Sequence, residues 1–433
     1  MMSQYKLRLL YIIGGWIMFA GQMTARQADD RDSLATYIAS AIRNNPGLMG
    51  EYQNYQAQMA GANGAGTLSD PQVNVGIFPQ GMRHVNVKQI ATVSVMQMFP
   101  WFGTLKAGRQ QMSYKAEAAY QKYREKSFAL ALDVEKQWNV ILAQKEKIKA
   151  VRKKLSLIDN IRKVTVYQYK SYAAGKGSKM SDQLRLDAER VRLEEQVESL
   201  EDGLKLQYRQ FNLLLHRQPD EALFFPDSIV RNDMPVMDWE RMERNNPRLG
   251  QLQAEEKSFE AQAVKAKNMG RPMIGVGLQY MWNGKVDMPM MADMNGKDMI
   301  MPMVSFTLPI YRKKTSAAKR SAELLKQSVV QGYKRQRDVL KGEWLAIVQR
   351  ADDVSRKARL YDQEVILLDQ TLGLMQKEYV TGATTLTDIL QTLREGIDYE
   401  LKKAEAKAEY NTVVAEAVRL MADDSRLNIM DKE

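Results

Sequence analysis

Two halves of the chain repeat the same landmarks in the same order, and this tandem repeat constrains the fold more than any other feature of the sequence. Residues 44–48 (NNPGL) return as residues 245–249 (NNPRL), and residues 172–175 (YAAG) return as residues 379–382 (YVTG). The offset is about two hundred residues in both cases. A repeated order of landmarks indicates that one structural unit is built twice, so the function must be sought in that unit.

The amino terminus has the composition of a secretory signal. Lys6 and Arg8 precede an uncharged apolar segment at residues 9–23, which is shorter than the roughly twenty residues of a membrane-spanning helix. An uncleaved anchor is the alternative. We therefore divide the chain into the following expected segments: a signal peptide at 1–28, a first repeat at 29–217, a linker at 218–236, a second repeat at 237–425 and a tail at 426–433.

The residue inventory narrows the possible chemistry. The chain has no cysteine and only two histidines, His84 and His216, which lie in unrelated contexts. Without thiols there is no disulfide, no cysteine nucleophile and no cysteinate metal site. Two separated imidazoles also provide no basis for a metallohydrolase centre or a Ser-His-Asp triad. We expect neither an enzyme nor a cofactor.

The charge pattern is typical of long solvated helices. The formal net charge is +11, but basic residues alternate with acidic ones, as in Lys145-Glu146-Lys147. A nucleic-acid site would instead concentrate its Lys and Arg residues on one surface. After the signal, no apolar window reaches the length of a membrane-spanning helix. We therefore expect no nucleic-acid partner and no helical membrane span in the mature chain.

Each repeat is predicted to contain a short leading helix, two strands, a long helix and a return helix. Asp32 or Ser33 is expected to cap the first leading helix and Asp238 its copy, and an Asn-Asn-Pro turn interrupts both helices. The three helix types have about 30, 65 and 35 residues. The two short helices stacked end to end match the long one, which predicts a rod about 100 Å long with the strands at one end.

Apolar residues in the long helices recur every seven positions. The first series contains Ile141, Ile148 and Leu155, and the second contains Val365, Leu372 and Tyr379. This spacing predicts a narrow coiled-coil seam between neighbouring helices.

The period changes to two in four short segments, which we interpret as strands. An apolar series alternates there with small, polar and thioether residues. In the second repeat the apolar series is Ile274, Val276, Leu278, Tyr280 and Trp282, followed by Val304, Phe306 and Leu308. An apolar outer face and a wet inner face are typical of a transmembrane β-barrel. A soluble hairpin with one face on a core is the alternative.

Four strands in lipid would leave two unpaired edges, so several copies of the chain must close the sheet. Two copies give eight strands, whose inward side chains fill the interior, whereas three copies give twelve strands and an aqueous pore. The pattern therefore favours a homotrimer.

The order and spacing of these elements resemble the TolC-type outer-membrane efflux family over nearly all of the mature chain. The resemblance rests on the two repeats, on the Tyr-x-x-Gly turn before residues 388–390 (DIL), and on the strand-to-helix corners at residues 99–103 (FPWFG) and 308–311 (LPIY). It implies an α+β, mainly α fold. Long antiparallel helical coiled-coil hairpins occur in tandem duplicate, and four strands contribute to a trimeric twelve-stranded transmembrane β-barrel.

The resemblance also implies a location and partners. Members are passive exit ducts in the outer membrane that extend into the periplasm, where a periplasmic adaptor (membrane fusion protein) docks and an inner-membrane pump, here of the RND type, feeds them. The turns at the helical tip would contact the adaptor through Gly175, Lys176, Ser178, Gly382, Ala383 and Thr384. Asp182 and Asp388 would narrow the tip. As alternatives, the glycines supply only a positive φ and Asp388 only caps a helix.

A run of methionines lies between the two strands of the second repeat. Its members are Met281, Met288, Met290, Met291, Met294, Met299, Met301 and Met303. Thioethers are soft, uncharged ligands that suit Cu(I) and Ag(I), which makes them candidate metal contacts and makes the chain resemble the CusC-like copper and silver branch of the family. Flexible filling of a packed loop is the alternative.

The sequence thus predicts the outer-membrane channel of a tripartite system that exports Cu(I), Ag(I) or other heavy-metal ions. The duct of a multidrug exporter is the first alternative. A periplasmic coiled-coil adaptor or scaffold is a second, although no lipoyl-like domain of many short strands is visible. A methionine-rich metal store is a third, and it would leave most of the chain without a purpose.

Overall fold

The computed structural model describes residues 33–79, 88–171, 180–287, 293 and 295–422. Several predicted features lie outside these residues. They are the signal peptide at 1–28, the tail at 426–433, the tip residues Gly175, Lys176 and Ser178, and the loop residues Met288, Met290, Met291 and Met294.

The described helices follow the predicted order of short, long and return helices in each half of the chain. Those of the first half are α1 (Leu34–Asn44), α2 (Pro46–Ala65), α3 (Thr104–Ser171) and α4 (Met180–Leu214). Those of the second half are α5 (Trp239–Asn245), α6 (Pro247–Met269), α7 (Arg312–Thr381) and α8 (Leu386–Met421). The long helices α3 and α7 have 68 and 70 residues, and the return helices α4 and α8 have 35 and 36, as predicted.

The helix starts confirm the predicted caps. Ser33, rather than Asp32, caps α1, and its hydroxyl accepts a hydrogen bond from the backbone N–H of Thr36 at 3.3 Å. Asp238 caps α5 by accepting from the backbone N–H of Arg241 at 3.0 Å. Each cap satisfies one backbone donor that has no partner within its helix.

The described chain forms two compact units, and each draws on both halves of the sequence. The first unit contains residues up to 49, 125–246 and 338 onward, and the second contains residues 50–124 and 247–337. The predicted limits of the two repeats remain a prediction, because compact packing and sequence repetition divide the chain differently.

The core of the first unit is the predicted helical seam. Ile141, Ile148, Leu372 and Tyr379 are all buried, with at most 9% of each residue exposed. One cluster of buried side chains joins Val151 and Ile158 of α3, Leu186 and Leu193 of α4, Leu372 and Tyr379 of α7, and Leu386 and Ile389 of α8. Seven-residue spacing on α3 and α7 therefore places one apolar stripe of each helix against the return helices.

Part of the predicted linker is held against the helices of the first unit by hydrogen bonds between its backbone and the side chain of Asn411. The side-chain amide of Asn411 donates to the carbonyl of Val230 at 2.7 Å and accepts from the N–H of Asn232 at 2.9 Å. Between them, the guanidinium of Arg231 lies 4.2 Å from the centre of the Tyr410 ring. Contacts with α8 therefore fix the position of residues 230–232.

All four strands belong to the second unit and form one antiparallel sheet. They are β1 (Gln72–Ile77), β2 (Lys88–Phe99), β3 (Met273–Gly284) and β4 (Met299–Thr307), in the order β1-β2-β3-β4. β2 of the first half pairs with β3 of the second half, so each half contributes one hairpin to a shared sheet. β1 and β4 are the edges of this sheet.

None of the helices in the described ranges carries an apolar stretch long enough for a transmembrane segment.

Candidate functional site

The strand register sorts the side chains of the sheet into the two predicted faces. Residues directly opposite each other in neighbouring strands project to the same side, and Leu278 lies opposite Val95 on β2 and Pro302 on β4. The apolar face contains Val73, Val75, Ile77, Val93, Val95, Phe99, Ile274, Val276, Leu278, Tyr280, Trp282, Ile300, Val304 and Phe306.

The described part of the chain does not cover this apolar face. Val276 and Leu278 at the centre of the sheet are 51% and 52% exposed, and Val304 and Phe306 on the edge strand are 63% and 64% exposed. A hairpin packed on a soluble core would bury these side chains, so the structure does not support that alternative. A contiguous exposed apolar surface of this kind indicates contact with lipid or with other protein chains.

The opposite face of the sheet is rich in methionine. It contains Met96 and Met98 of β2, Met273 and Met281 of β3, and Met299, Met301 and Met303 of β4, interspersed with Thr92, Ser94, Gln279, Ser305 and Thr307. Met281 lies directly opposite Met299, and Met301 lies opposite Gln279. We call this surface the thioether face. Of the predicted metal contacts, Met281, Met299, Met301 and Met303 lie on it.

The β3–β4 loop starts and ends in a defined hydrogen-bond network. Asp298 accepts from the phenol of Tyr280 at 2.6 Å and from the backbone N–H of Asn283 at 2.9 Å. Asn295 bridges the loop by accepting from the N–H of Val286 at 2.8 Å and donating to its carbonyl at 3.1 Å. These bonds fix the positions at which the methionine-rich loop leaves and rejoins the sheet.

The helical tip is described in the second half of the chain only. α7 ends at Thr381, and Gly382 adopts the positive φ of +78° that the alternative interpretation expected. The N–H of Gly382 donates to the carbonyl of Tyr379 at 3.1 Å, and the N–H of Ala383 donates to the carbonyl of Glu378 at 2.9 Å. The turn therefore closes the end of α7, and Gly382 and Ala383 are exposed.

Asp388 lies in the first turn of α8 but does not itself cap the helix. Thr385 is the cap: its hydroxyl accepts from the N–H of Asp388 at 3.3 Å and donates to the Asp388 carboxylate at 2.6 Å. The Asp388 side chain is exposed, while Asp182 lies half-buried in the first turn of α4. Both carboxylates are thus near helix starts, where the helix dipole favours a negative charge.

A buried carboxylate about two turns further along α4 binds two arginines, which the sequence alone did not predict. The Glu189 side chain is 2% exposed; Arg394 of α8 donates to its Oε2 at 2.6 Å and Arg192 to its Oε1 at 3.1 Å. Burial alone would raise the pKa of the Glu189 carboxyl, but the hydrogen bonds from Arg394 and Arg192 outweigh burial and hold this pKa below its ordinary value. This group ties α4 to α8 close to the tip.

No protein-family model and no curated protein sequence matches the chain, whereas several solved structures do. The outer-membrane channel OprN shares 15% identity with it, over 90% of this chain and 89% of that one, with a TM-score of 0.71. CusC, whose structures describe transmembrane channel formation, shares 13% identity over 90% and 91% of the two chains, with a TM-score of 0.71. The outer membrane protein VceC from Vibrio cholerae shares 12% identity over 90% and 96%, with a TM-score of 0.69.

These neighbours are outer-membrane channels of the TolC family, and they match nearly the full length of this chain. Identities of 12–15% carry information about fold alone and do not distinguish one branch of the family from another. The chain therefore has the fold of the TolC-family outer-membrane channels.

Proposed function

We propose that this chain is the outer-membrane channel of a tripartite efflux system, a passive exit duct that crosses the outer membrane and extends into the periplasm. The observation that carries the proposal is the exposed apolar face of the sheet, on a chain with the fold of outer-membrane channels. Lipid is the solvent that stabilises such a face, because burial of apolar surface contributes about 25 cal/mol per Å².

Closure of the sheet requires further copies of the chain. β1 and β4 are edge strands, and lipid cannot satisfy the N–H and C=O groups along a sheet edge. Pairing β4 of one copy with β1 of the next removes both edges, and three copies give twelve strands around a pore. In that arrangement the apolar face points to lipid and the thioether face lines the lumen.

The first test is whether the protein forms a conducting trimer. We expect the full-length protein in the outer-membrane fraction, migrating as a heat-modifiable trimer and raising the conductance of planar bilayers, because twelve strands enclose water. The measurements are membrane fractionation, crosslinking and single-channel recording. A monomer found free in the periplasm would contradict the proposal and would favour the scaffold alternative.

The helical tip is the proposed docking surface for the periplasmic adaptor, which links the duct to an inner-membrane pump of the RND type. Gly382 and Ala383 support this role because they are exposed in a tight turn, and the half-buried Thr384 follows them. Gly175, Lys176 and Ser178 are their counterparts in the sequence of the first half. Asp182 and Asp388 are the proposed constriction, since three copies of each around a threefold axis would attract cations and repel anions.

The proposed cargo is Cu(I) or Ag(I). Methionines occupy the loop between β3 and β4 and continue onto the thioether face, where Met281, Met299, Met301 and Met303 share one side of the sheet. Neutral thioethers bind soft monovalent ions and discriminate against hard cations, which prefer oxygen ligands. The duct of a multidrug exporter is the alternative, and it gives these methionines no direct role.

The cargo is tested by replacing the methionines of the loop and of β4, Met288, Met290, Met291, Met294, Met299, Met301 and Met303, with leucine. In cells that depend on this channel, we expect silver and copper tolerance to fall about tenfold, because the thioether ligands of these soft ions are removed. A matched control replaces Met59, Met112 and Met269, which lie on helices. Unchanged metal tolerance with normal trimer levels would leave the multidrug exporter as the better assignment.

A further inference from the structure

We propose that Met96, Met98 and Ser305 form a binding site for a soft monovalent cation on the thioether face. The identity of the cation as Cu(I) or Ag(I) rests on the proposed export function. The site itself rests on the geometry of three neighbouring strands.

The strand register brings the three side chains together. Met98 on β2 and Ser305 on β4 both lie directly opposite Gly275 of β3, one on each side, and Met96 lies opposite Gly277. The hydroxyl of Ser305 is 3.4 Å from the sulfur of Met96 and 3.8 Å from the sulfur of Met98. Two thioethers and one hydroxyl therefore converge over the middle strand.

Gly275 allows these donors to come close together. A Cβ atom at this position would lie 2.2 Å from Ser305 Oγ, 2.7 Å from Met98 Sδ and 3.5 Å from Met96 Sδ. The first two separations are shorter than any normal contact, so a side chain at position 275 is incompatible with this arrangement. Because position 275 has no side chain, the two sulfurs and the hydroxyl oxygen occupy this space and approach one another over β3.

These three donors suit reversible binding of a soft ion. Thioethers are uncharged and polarizable, and Cu(I) and Ag(I) accept two or three of them, whereas Mg²⁺ and Ca²⁺ require oxygen ligands. Met has three rotatable bonds and a flexible chain, so both sulfurs can turn from the Ser305 hydroxyl towards an ion without movement of the backbone. Neutral ligands also release a monovalent cation more readily than thiolates do.

The neighbouring methionines extend the site into a series. Met303 lies opposite Gly277, Met301 opposite Gln279, and Met299 opposite Met281, so thioethers follow β4 from the proposed site towards the loop. Several weak sites in a row allow an ion to move from one to the next, which is the condition for conduction through a selective pore.

The test is a calorimetric titration in which Ag(I) is added to the purified full-length protein in detergent. We expect the double variant Met96→Leu/Met98→Leu to bind silver at least about tenfold more weakly at one site per chain. Leucine preserves volume and apolar character, so the sheet is retained. The control Met59→Leu/Met269→Leu removes two exposed helical methionines and should leave the titration unchanged.

A second variant tests the convergence of the three donors over Gly275 rather than the sulfurs themselves. Gly275→Ala keeps both methionines but places a methyl group between them, and we expect the same loss of silver affinity. Silver K-edge absorption of the wild-type complex should show bonded sulfur neighbours, and their number should fall in the Met96→Leu/Met98→Leu protein. Unchanged silver binding in the leucine double variant overturns the site, whatever the alanine variant does.

The outcomes separate this site from the proposed cargo. If the loop variants lose metal tolerance while Met96→Leu/Met98→Leu binds silver normally, the export function stands and this site is wrong. If the purified protein loses silver binding in Met96→Leu/Met98→Leu but cells tolerate metals equally with and without the channel, the site stands and the proposed cargo is wrong.

Discussion

Replacing Lys154 with alanine is expected to lower the free energy of unfolding by about 3–5 kcal/mol, because it leaves two carboxylates without the cation between them. The Lys154 side chain is 2% exposed, and its ammonium group donates a hydrogen bond to Asp369. Glu400 Oε1 lies 3.3 Å from the same ammonium group, an ion-pair distance without hydrogen-bond geometry. The Asp369 side chain is 36% exposed and can rehydrate, which places the effect at the lower end of the range.

Lys153 provides a matched control for this effect. It is the preceding residue, it binds the same Asp369 carboxylate at 3.1 Å, and its side chain is 65% exposed. Exposed ion pairs contribute little, so Lys153→Ala should cost less than about 1 kcal/mol. The change in the free energy of unfolding is measured for both variants from the loss of helical circular dichroism in denaturant. Equal costs for the two alanine variants would show that burial of Lys154 does not determine its contribution.

At acidic pH, the wild type and Lys154→Ala should differ less in their free energy of unfolding. Burial alone would raise the pKa of the Asp369 carboxyl, but hydrogen bonds from Lys154 and Lys153 and their positive charges hold this pKa below its ordinary value. A depressed carboxyl pKa stabilises the fold above the unfolded-state pKa, and that contribution is lost as the pH falls through the folded-state pKa. The wild type therefore loses in acid an interaction that the variant already lacks.

The burial of Lys154 shows where sequence interpretation was too coarse. Residues 152–154 (RKK) read as part of a solvated, charged helix face. Lys154, however, lies three residues after Val151 and four before Ile158, both fully buried, so it occupies the apolar stripe of α3. The helical period of α3 alone could therefore have predicted that Lys154 is buried. It could not have predicted that Asp369 and Glu400 lie beside Lys154, because their positions depend on how α7 and α8 pack against α3.

The elements that the sequence predicted well depend on local rules. The caps at Ser33 and Asp238 follow from the hydrogen bonds that a helix start requires, and the two faces of β3 follow from the two-residue period of a strand. The convergence of Met96, Met98 and Ser305 could not be predicted in the same way. It depends on the register that sets Met98 and Ser305 opposite Gly275, and alternation alone does not specify a register between distant strands.

The second large effect is expected from Leu278→Arg, which should greatly reduce the amount of folded trimer in the outer membrane. Leu278 lies in the middle of β3, and in the single chain it is 52% exposed on the apolar face. If this face contacts lipid, an arginine near the centre of the bilayer costs about 2–4 kcal/mol per chain. Each of the three chains in a trimer would carry this arginine, so the amount of assembled trimer should decrease strongly. The amount of trimer is measured in outer-membrane extracts by its heat-modifiable migration in gel electrophoresis.

Gln279→Arg is the matched control, because the next residue on the same strand projects from the thioether face. Gln279 lies opposite Ser94 and Met301 there, and a side chain in a water-filled lumen can carry a charge at little cost. We therefore expect near-normal trimer levels for Gln279→Arg and a loss for Leu278→Arg. If the face of Leu278 were in water, an exposed leucine could be replaced within about 0.5 kcal/mol. Equal trimer levels for the two arginine variants would then show that the apolar face meets no lipid, and the channel proposal would fail with it.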